Sequence, residues 1–253
     1  MVFWGEVLDN SPLGLILTGM TRERLFQQDP MDWFRTGSKR YSPYHWNQMA
    51  LQAGLAGVYL SEYGFHATDS VCIVGIGFGR DLIFVNDQLV HLGKVLPRVV
   101  GLDINLPRLV ETKQKLKEEG ITADLLVGSM NTIPVPADTF LATICLDTLV
   151  HADDLKQSLL ELKRVTRPNG LIICNLPTSH TLPVDLLKSV IVEGLPRTMS
   201  LALERLISPN GFSARTTYYL PRQIDKVISS CDLEIVERKS FAYGMYTFLV
   251  IQK

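Results

Sequence analysis

Three glycines at alternate positions, Gly75, Gly77 and Gly79, follow directly on the apolar run Val71 to Val74 and precede a helical pattern that opens at Arg80. A buried parallel strand running into a glycine turn and a helix start brings bare backbone N–H groups and a positive helix end to one place. That is the chemistry of a nucleotide or nucleoside pocket, although a structural turn is the competing reading of a glycine triplet taken alone. Arg80 stands where a dinucleotide fingerprint wants its last small residue, a departure from the dehydrogenase pattern.

Asp103 closes a second apolar run, Arg98 to Leu102, and lies 24 positions after Gly79, the length of one helix and two turns. A carboxylate at the end of such a strand can accept hydrogen bonds from both hydroxyls of a ribose. The alternative is a helix cap, but Asn105 with Pro107 already supplies a helix start. Asp147, Thr148 and His151 follow the fourth apolar run and should face the same centre, because ligands of open α/β sheets collect at the carboxyl ends of strands. The ordinary pKa of histidine, about 6.5, would suit His151 to act as general base toward a hydroxyl; a structural histidine is the alternative.

The elements that must position these residues alternate. Apolar spacing predicts helices over Tyr44 to Tyr63, Arg80 to Leu92, Leu106 to Glu119, Leu155 to Val165 and Pro221 to Ser229. Strands are expected at Val71 to Val74, Arg98 to Leu102, Ala123 to Val127, Phe140 to Leu146 and Leu171 to Cys174, the last entered by a Pro168-Asn169-Gly170 turn. Two more strands, Leu233 to Glu237 and Tyr246 to Gln252, end the chain with a turn near Gly244. Repeated strand and helix is the doubly wound α/β signature. Residues 1 to 66 read as a helical cap, 67 to 181 as the binding core, 182 to 212 as an apolar insertion and 213 to 253 as a final helix and strand pair. The insertion is equally a substrate lid or an ordinary packed helix.

Of the 253 residues 46% are hydrophobic and 20% charged, with a formal charge of -1, which favours an ordered globular domain and disfavours broad nucleic-acid binding. Cys72, Cys145, Cys174 and Cys231 are scattered without metal-type pairing and read as reduced core residues. No run reaches membrane-spanning length, and Glu6 and Asp9 precede the short apolar stretch Leu13 to Leu17 where a signal peptide wants positive charge. A cytoplasmic protein is expected. A hard-cation site would want acids at the ends of strands four and five; Asp147 supplies one, but strand five ends in Asn175, so no metal is expected.

The glycine loop, Asp103, the run GSMNTIPVPADTF from Gly128 to Phe140 and LDTLVHADD from Leu146 to Asp154 stand in the order of the class I S-adenosylmethionine (SAM) methyltransferases, and residues 70 to 252 resemble that family, in particular its small-molecule branch (type 11). The resemblance implies a Rossmann-like seven-stranded sheet with an antiparallel last strand, SAM as cofactor and S-adenosylhomocysteine (SAH) as product. It implies that Gly75, Gly77, Gly79, Asp103 and Ile104 hold the ribose and methionine portions, with Ser129 and Met130 flanking the adenine. Ser129 stands where many relatives have Asp. By the same likeness Asp147 and Thr148 border the methyl group and Tyr41, in RYSPY, closes over the methionine end. The modest charge and the apolar insertion point to a small, largely apolar or aromatic acceptor, secondary-metabolite or quinone-like, with the accepting atom open among O, N and C. Signatures for nucleic-acid bases are absent: no Asn-Pro-Pro-aromatic run follows strand four, and there is no Pro-Cys pair. Two alternatives stay open, a catalytically silent SAM-binding interaction protein and an aminopropyl-type transferase, and so does the oligomeric state, a homodimer included.

Overall fold

The structure, a computed structural model, describes residues 43–66, 68–179, 219–241 and 244–253. Tyr41 and the apolar insertion 182–212 lie outside the described residues, as does most of the N-terminal cap. The elements are α1 (Pro43–Tyr63), β1 (Ser70–Val74), α2 (Arg80–His91), β2 (Arg98–Asp103), α3 (Leu106–Glu118), β3 (Asp124–Val127), β4 (Phe140–Cys145), a 3-10 turn (Leu149–His151), α4 (Leu155–Val165), β5 (Thr166–Pro177), α5 (Pro221–Ser230), β6 (Glu234–Phe241) and β7 (Tyr246–Gln252).

The strands form a seven-stranded sheet in the order β3-β2-β1-β4-β5-β7-β6. Pairing is parallel from β3 to β5, and β7 runs antiparallel to both β5 and β6. Central strands read as unbroken apolar runs because helices cover both sheet faces; every residue of β4 is buried. Val71 packs in a core with α1 and α2, and Ile73 in a core with α2 and α3. Cys72 and Val74 point the other way, into the core under α4 and α5. Burial pushes the Cys72 and Cys174 thiols up to about 12, so both behave as core residues rather than nucleophiles.

Two strands, β5 and β6, run beyond the sequence expectation through long-range pairing. β5 begins at Thr166 rather than Leu171, and the Pro168-Asn169-Gly170 turn is a bulge inside it. Phe140 pairs with Thr166 and Ala142 with Leu171, so Leu141 alone faces residues 167–170. Asn169 takes φ 63 there, and the terminal Lys253 fastens the bulge: its N–H donates to the Gly170 carbonyl, its carbonyl accepts from Asn169, and its ammonium donates to the Thr166 carbonyl at 2.6 Å. β6 continues to Phe241 because β7 offers it a partner as far as Tyr246.

Candidate active site

The first turn after β1 is shaped by what crosses it. A Cβ at Gly75, which has φ +74, would lie 2.1 Å from the Thr148 hydroxyl oxygen, so only glycine lets the turn pass under the loop that follows β4. The Gly75 and Ile76 N–H groups both donate to the Leu102 carbonyl, tying the turn to the end of β2. Gly77 donates its N–H to the Asp103 Oδ2 at 2.9 Å, and Asn105 donates to Oδ1 at 2.9 Å. Asn105, not Asp103, caps α3, accepting from the Arg108 N–H. Asp103 therefore clamps the glycine turn, and each carboxylate oxygen keeps further lone pairs for a ligand. Thr112 on α3 completes the brace by donating its hydroxyl to the Gly77 carbonyl.

These groups border a cavity of about 770 Å³ at the carboxyl ends of β1, β2 and β4. Gly75, Gly77, Asp103 and Ile104 line one part of it, Ser129 and Met130 another, and Asp147, Thr148 and His151 a third. Nine of the residues singled out in the sequence are thus brought together. Gly79 is not; its left-handed φ of 77 starts α2, and a Cβ there would press on Leu116 and Thr112 at 3.1 Å. Gly79 serves the packing of α2 against α3.

Local roles differ within the set. The Ser129 hydroxyl accepts from the Asn131 N–H at 3.2 Å, and Ile104 stands exposed on the rim. Thr148 donates its hydroxyl to the Leu146 carbonyl and packs its side chain on Gly75. Asp147 takes a positive φ of 48, held by Asn175: the Asp147 N–H donates to Asn175 Oδ1 at 2.6 Å, and Asn175 Nδ2 donates to Asp147 Oδ1 at 2.8 Å. The same Asn175 amide donates to Gln52 of α1 at 2.6 Å, so the buried Gln52–Asn175 pair links the first helix to the cavity. His151 lies on the 3-10 turn at the cavity edge, exposed.

Sequence reasoning passed over several lining residues. Met49, Phe78, Asp81 and Arg108 also border the cavity, and Arg80 and Arg108 sit over the Phe78 ring at 5.5 and 5.1 Å. Asp81 falls two positions after the last glycine, where a helix start accommodates acids, which was the available signal. Away from the cavity, Glu161 on α4 accepts the Ile133 N–H at 2.7 Å, and Arg164 donates to the Ile133 and Val135 carbonyls and to Glu161. This pair pins the loop that follows β3, and with it Ser129 and Met130. Among the described residues no three His, Cys, Asp or Glu side chains gather as a metal site, and no helix is long and apolar enough to cross a membrane.

A parallel sheet in the order 3-2-1-4-5 that ends in an antiparallel 7-6 pair, with a glycine turn and an acid at the ends of β1 and β2, is the class I methyltransferase fold. Residues 74–174 match the family described as "Methyltransferase domain". An uncharacterized methyltransferase of Schizosaccharomyces pombe is 31% identical over 125 residues, which is 46% of this chain and 42% of that protein; the match spans less than half the relative's length. The magnesium protoporphyrin IX methyltransferase of Synechocystis PCC 6803, solved with bound SAH, superposes with TM-score 0.60 at 18% identity, covering 91% of this chain and 97% of that one. The CMeT domain of the citrinin polyketide synthase superposes with TM-score 0.63 at 15% identity, covering 91% of this chain and 58% of that one. These superpositions establish the fold.

Proposed function

We propose that this protein is a SAM-dependent methyltransferase acting on a small, largely apolar or aromatic molecule, with SAH as product. The observation that carries the reading is Asp103. Its carboxylate is held by two backbone N–H groups on a cavity wall, with lone pairs left over for the two ribose hydroxyls. The residues lining the cavity would hold the cofactor at its base and ribose. Ser129 and Met130 would flank the adenine, Asp103 with Ile104 the ribose, and Gly75 and Gly77 would let the ligand approach bare backbone. Bound SAM supplies an electrophilic methyl group on its sulfonium. The protein's part is to orient the acceptor, exclude water and, at His151, to take a proton from the accepting atom. Met49, Phe78 and Leu146 give the cavity the apolar surface that favours an uncharged acceptor.

A second reading is favoured by one observation: Asp81 and Asp147 border the same cavity, as an aminopropyl transferase acting on a polyamine would require. The donor separates the two, since that enzyme would turn over decarboxylated SAM and leave SAM unused.

Calorimetric titration with SAH tests the cofactor. Micromolar binding by the wild type, lost in Asp103→Ala, is expected and would justify screening phenolic, amine and carbon acceptors. A wild type that binds neither SAH nor SAM would overturn the reading.

A further inference from the structure

A buried amide joins the first helix to the loop that follows β4. Asn175, near the end of β5, is 1% exposed, and its side chain bonds in two directions. Its Oδ1 accepts the Asp147 N–H at 2.6 Å, while Nδ2 donates to Asp147 Oδ1 at 2.8 Å and to Gln52 Oε1 at 2.6 Å. Both Nδ2 hydrogens are thereby used, one on each acceptor. Gln52 stands on α1 among the buried Ala50, Ala53, Leu55 and Ala56, where a polar side chain is costly unless its bond is made.

What the amide holds is an unusual stretch of backbone. Asp147 takes φ 48, in the left-handed region that a non-glycine residue seldom occupies, and Asn175 reaches both its N–H and its carboxylate. The rest of the loop takes its direction from there. Thr148 bonds its hydroxyl to the Leu146 carbonyl and packs on Gly75. The His151 N–H then donates to the Thr148 carbonyl at 2.9 Å, closing the 3-10 turn that carries the imidazole to the cavity edge. Met49, three residues before Gln52 and so on the same side of α1, lines that cavity.

We propose that Gln52 is a positioning residue for methyl transfer: acting through Asn175, it fixes the backbone of Asp147 and with it the placement of His151 toward the acceptor. This rests on the methyltransferase reading above, with His151 as its base. The helix that precedes the glycine turn then shapes the acceptor side of the site twice, by Met49 as wall and by Gln52 as brace. An apolar residue in place of Gln52 leaves one Asn175 N–H buried without an acceptor. An amide that rotates to find another gives up both bonds to Asp147. Released from them, Asp147 relaxes toward a negative φ, and the 3-10 turn moves with it.

The test follows the His151 imidazole by proton–carbon NMR in the full chain and in Gln52→Met, which keeps the side-chain length and removes the acceptor. The His151 signal is assigned by its loss in His151→Gln, and His91, exposed at the end of α2, is the control. The expected result is a His151 signal displaced or split, with the His91 signal unmoved. A glutamine that only supports the fold would lower stability and leave the His151 signal in place, and that outcome would overturn the brace, as would equal shifts at both histidines. A measurement without a variant stands beside it. In the wild type the Asn175 Nδ2 protons should exchange with solvent about a hundredfold or more slowly than those of a free asparagine side chain; exchange at the free rate would also overturn the brace. Both measurements are made without cofactor, so their failure leaves the SAM reading intact, whereas a wild type that binds neither SAH nor SAM removes the reading on which the brace rests.

Discussion

Asp103 and Asp81 are nearly equally buried, at 7% and 8% exposure, on walls of one cavity, and they are treated in opposite ways by the surrounding chain. Asp103 accepts two backbone N–H bonds and holds the glycine turn to α3, so its charge is satisfied before any ligand arrives. Asp81 has burial and a like charge against it and no described donor for it. On the β2 side the protein has finished its own hydrogen bonding; on the α2 side it has not. The difference shows two treatments of a buried acid on one cavity: one hydrogen-bonded by its own chain, the other without a described donor.

The widest separation of the two carboxyls comes from removing Asp103. Asp103→Ala leaves the Gly77 and Asn105 N–H groups without acceptors and takes away the ribose partner. We expect loss of detectable SAH binding together with a destabilisation of about 2–4 kcal/mol, read by calorimetry and by urea unfolding. Loss of binding with full stability would mean that the clamp on the turn is not structural.

Asp81→Asn should do the reverse to the empty protein. The folded pKa of about 8 lies above the unfolded value of about 3.9. Below pH 4 both states hold the proton and Asp81 costs nothing by ionisation. As the pH rises toward 8 the unfolded chain ionises while the folded one does not, so the wild type steadily loses stability, and the loss levels off above pH 8. The variant has no such titration. It should gain on the wild type progressively from pH 4 to 8 and level off above, in urea melts taken across that range. A constant difference between the two proteins would remove the buried, protonated Asp81 from the account.

How each acid reads in the sequence follows from the same contrast. Asp103 was legible because strand, turn and helix lengths fix its distance from the glycines, and the doubly wound α/β class followed from the alternation of apolar runs; α4 and β7 fall on the ranges that periodicity predicts. Asp81 was not, because in a helix start an acid is ordinary and only the fold shows a cavity in front of it. The bulge at residues 167–170 also escaped, since the residue that fastens it, Lys253, is more than 80 positions away. The pin on the loop after β3 was equally hidden, as Glu161 and Arg164 reach backbone groups 28 to 31 residues back.

That pin is a third buried acid with which to sharpen the comparison, and it behaves like Asp103. The Arg164 guanidinium hydrogen-bonded to Glu161 holds its carboxyl below the usual range against the cost of burial, with the Ile133 N–H assisting. Its stabilisation is present above the unfolded value of about 4.3 and is lost as the pH falls through the lower folded value. Glu161→Gln should cost about 1–2 kcal/mol at pH 7 and flatten the acid limb of the stability curve, with a smaller loss of SAH affinity through Ser129 and Met130. An unchanged acid limb would place the charge elsewhere.

The smallest effect separates an unmade hydrogen bond on the cavity wall from one away from it. Gln88 on α2 is fully buried, its amide nitrogen and oxygen have no partner among the described residues, and it does not line the cavity described above; its stem lies 3.0 Å from where a Cβ on Gly57 of α1 would stand. Gln88→Met keeps the volume and removes both polar atoms, so it should stabilise the fold by about 1 kcal/mol, measured by urea unfolding. SAH affinity should stay at the wild-type value. A destabilised Gln88→Met would show that the amide is satisfied after all, by a water held between α1 and α2, and the unmade bond at Asp81 would then stand alone.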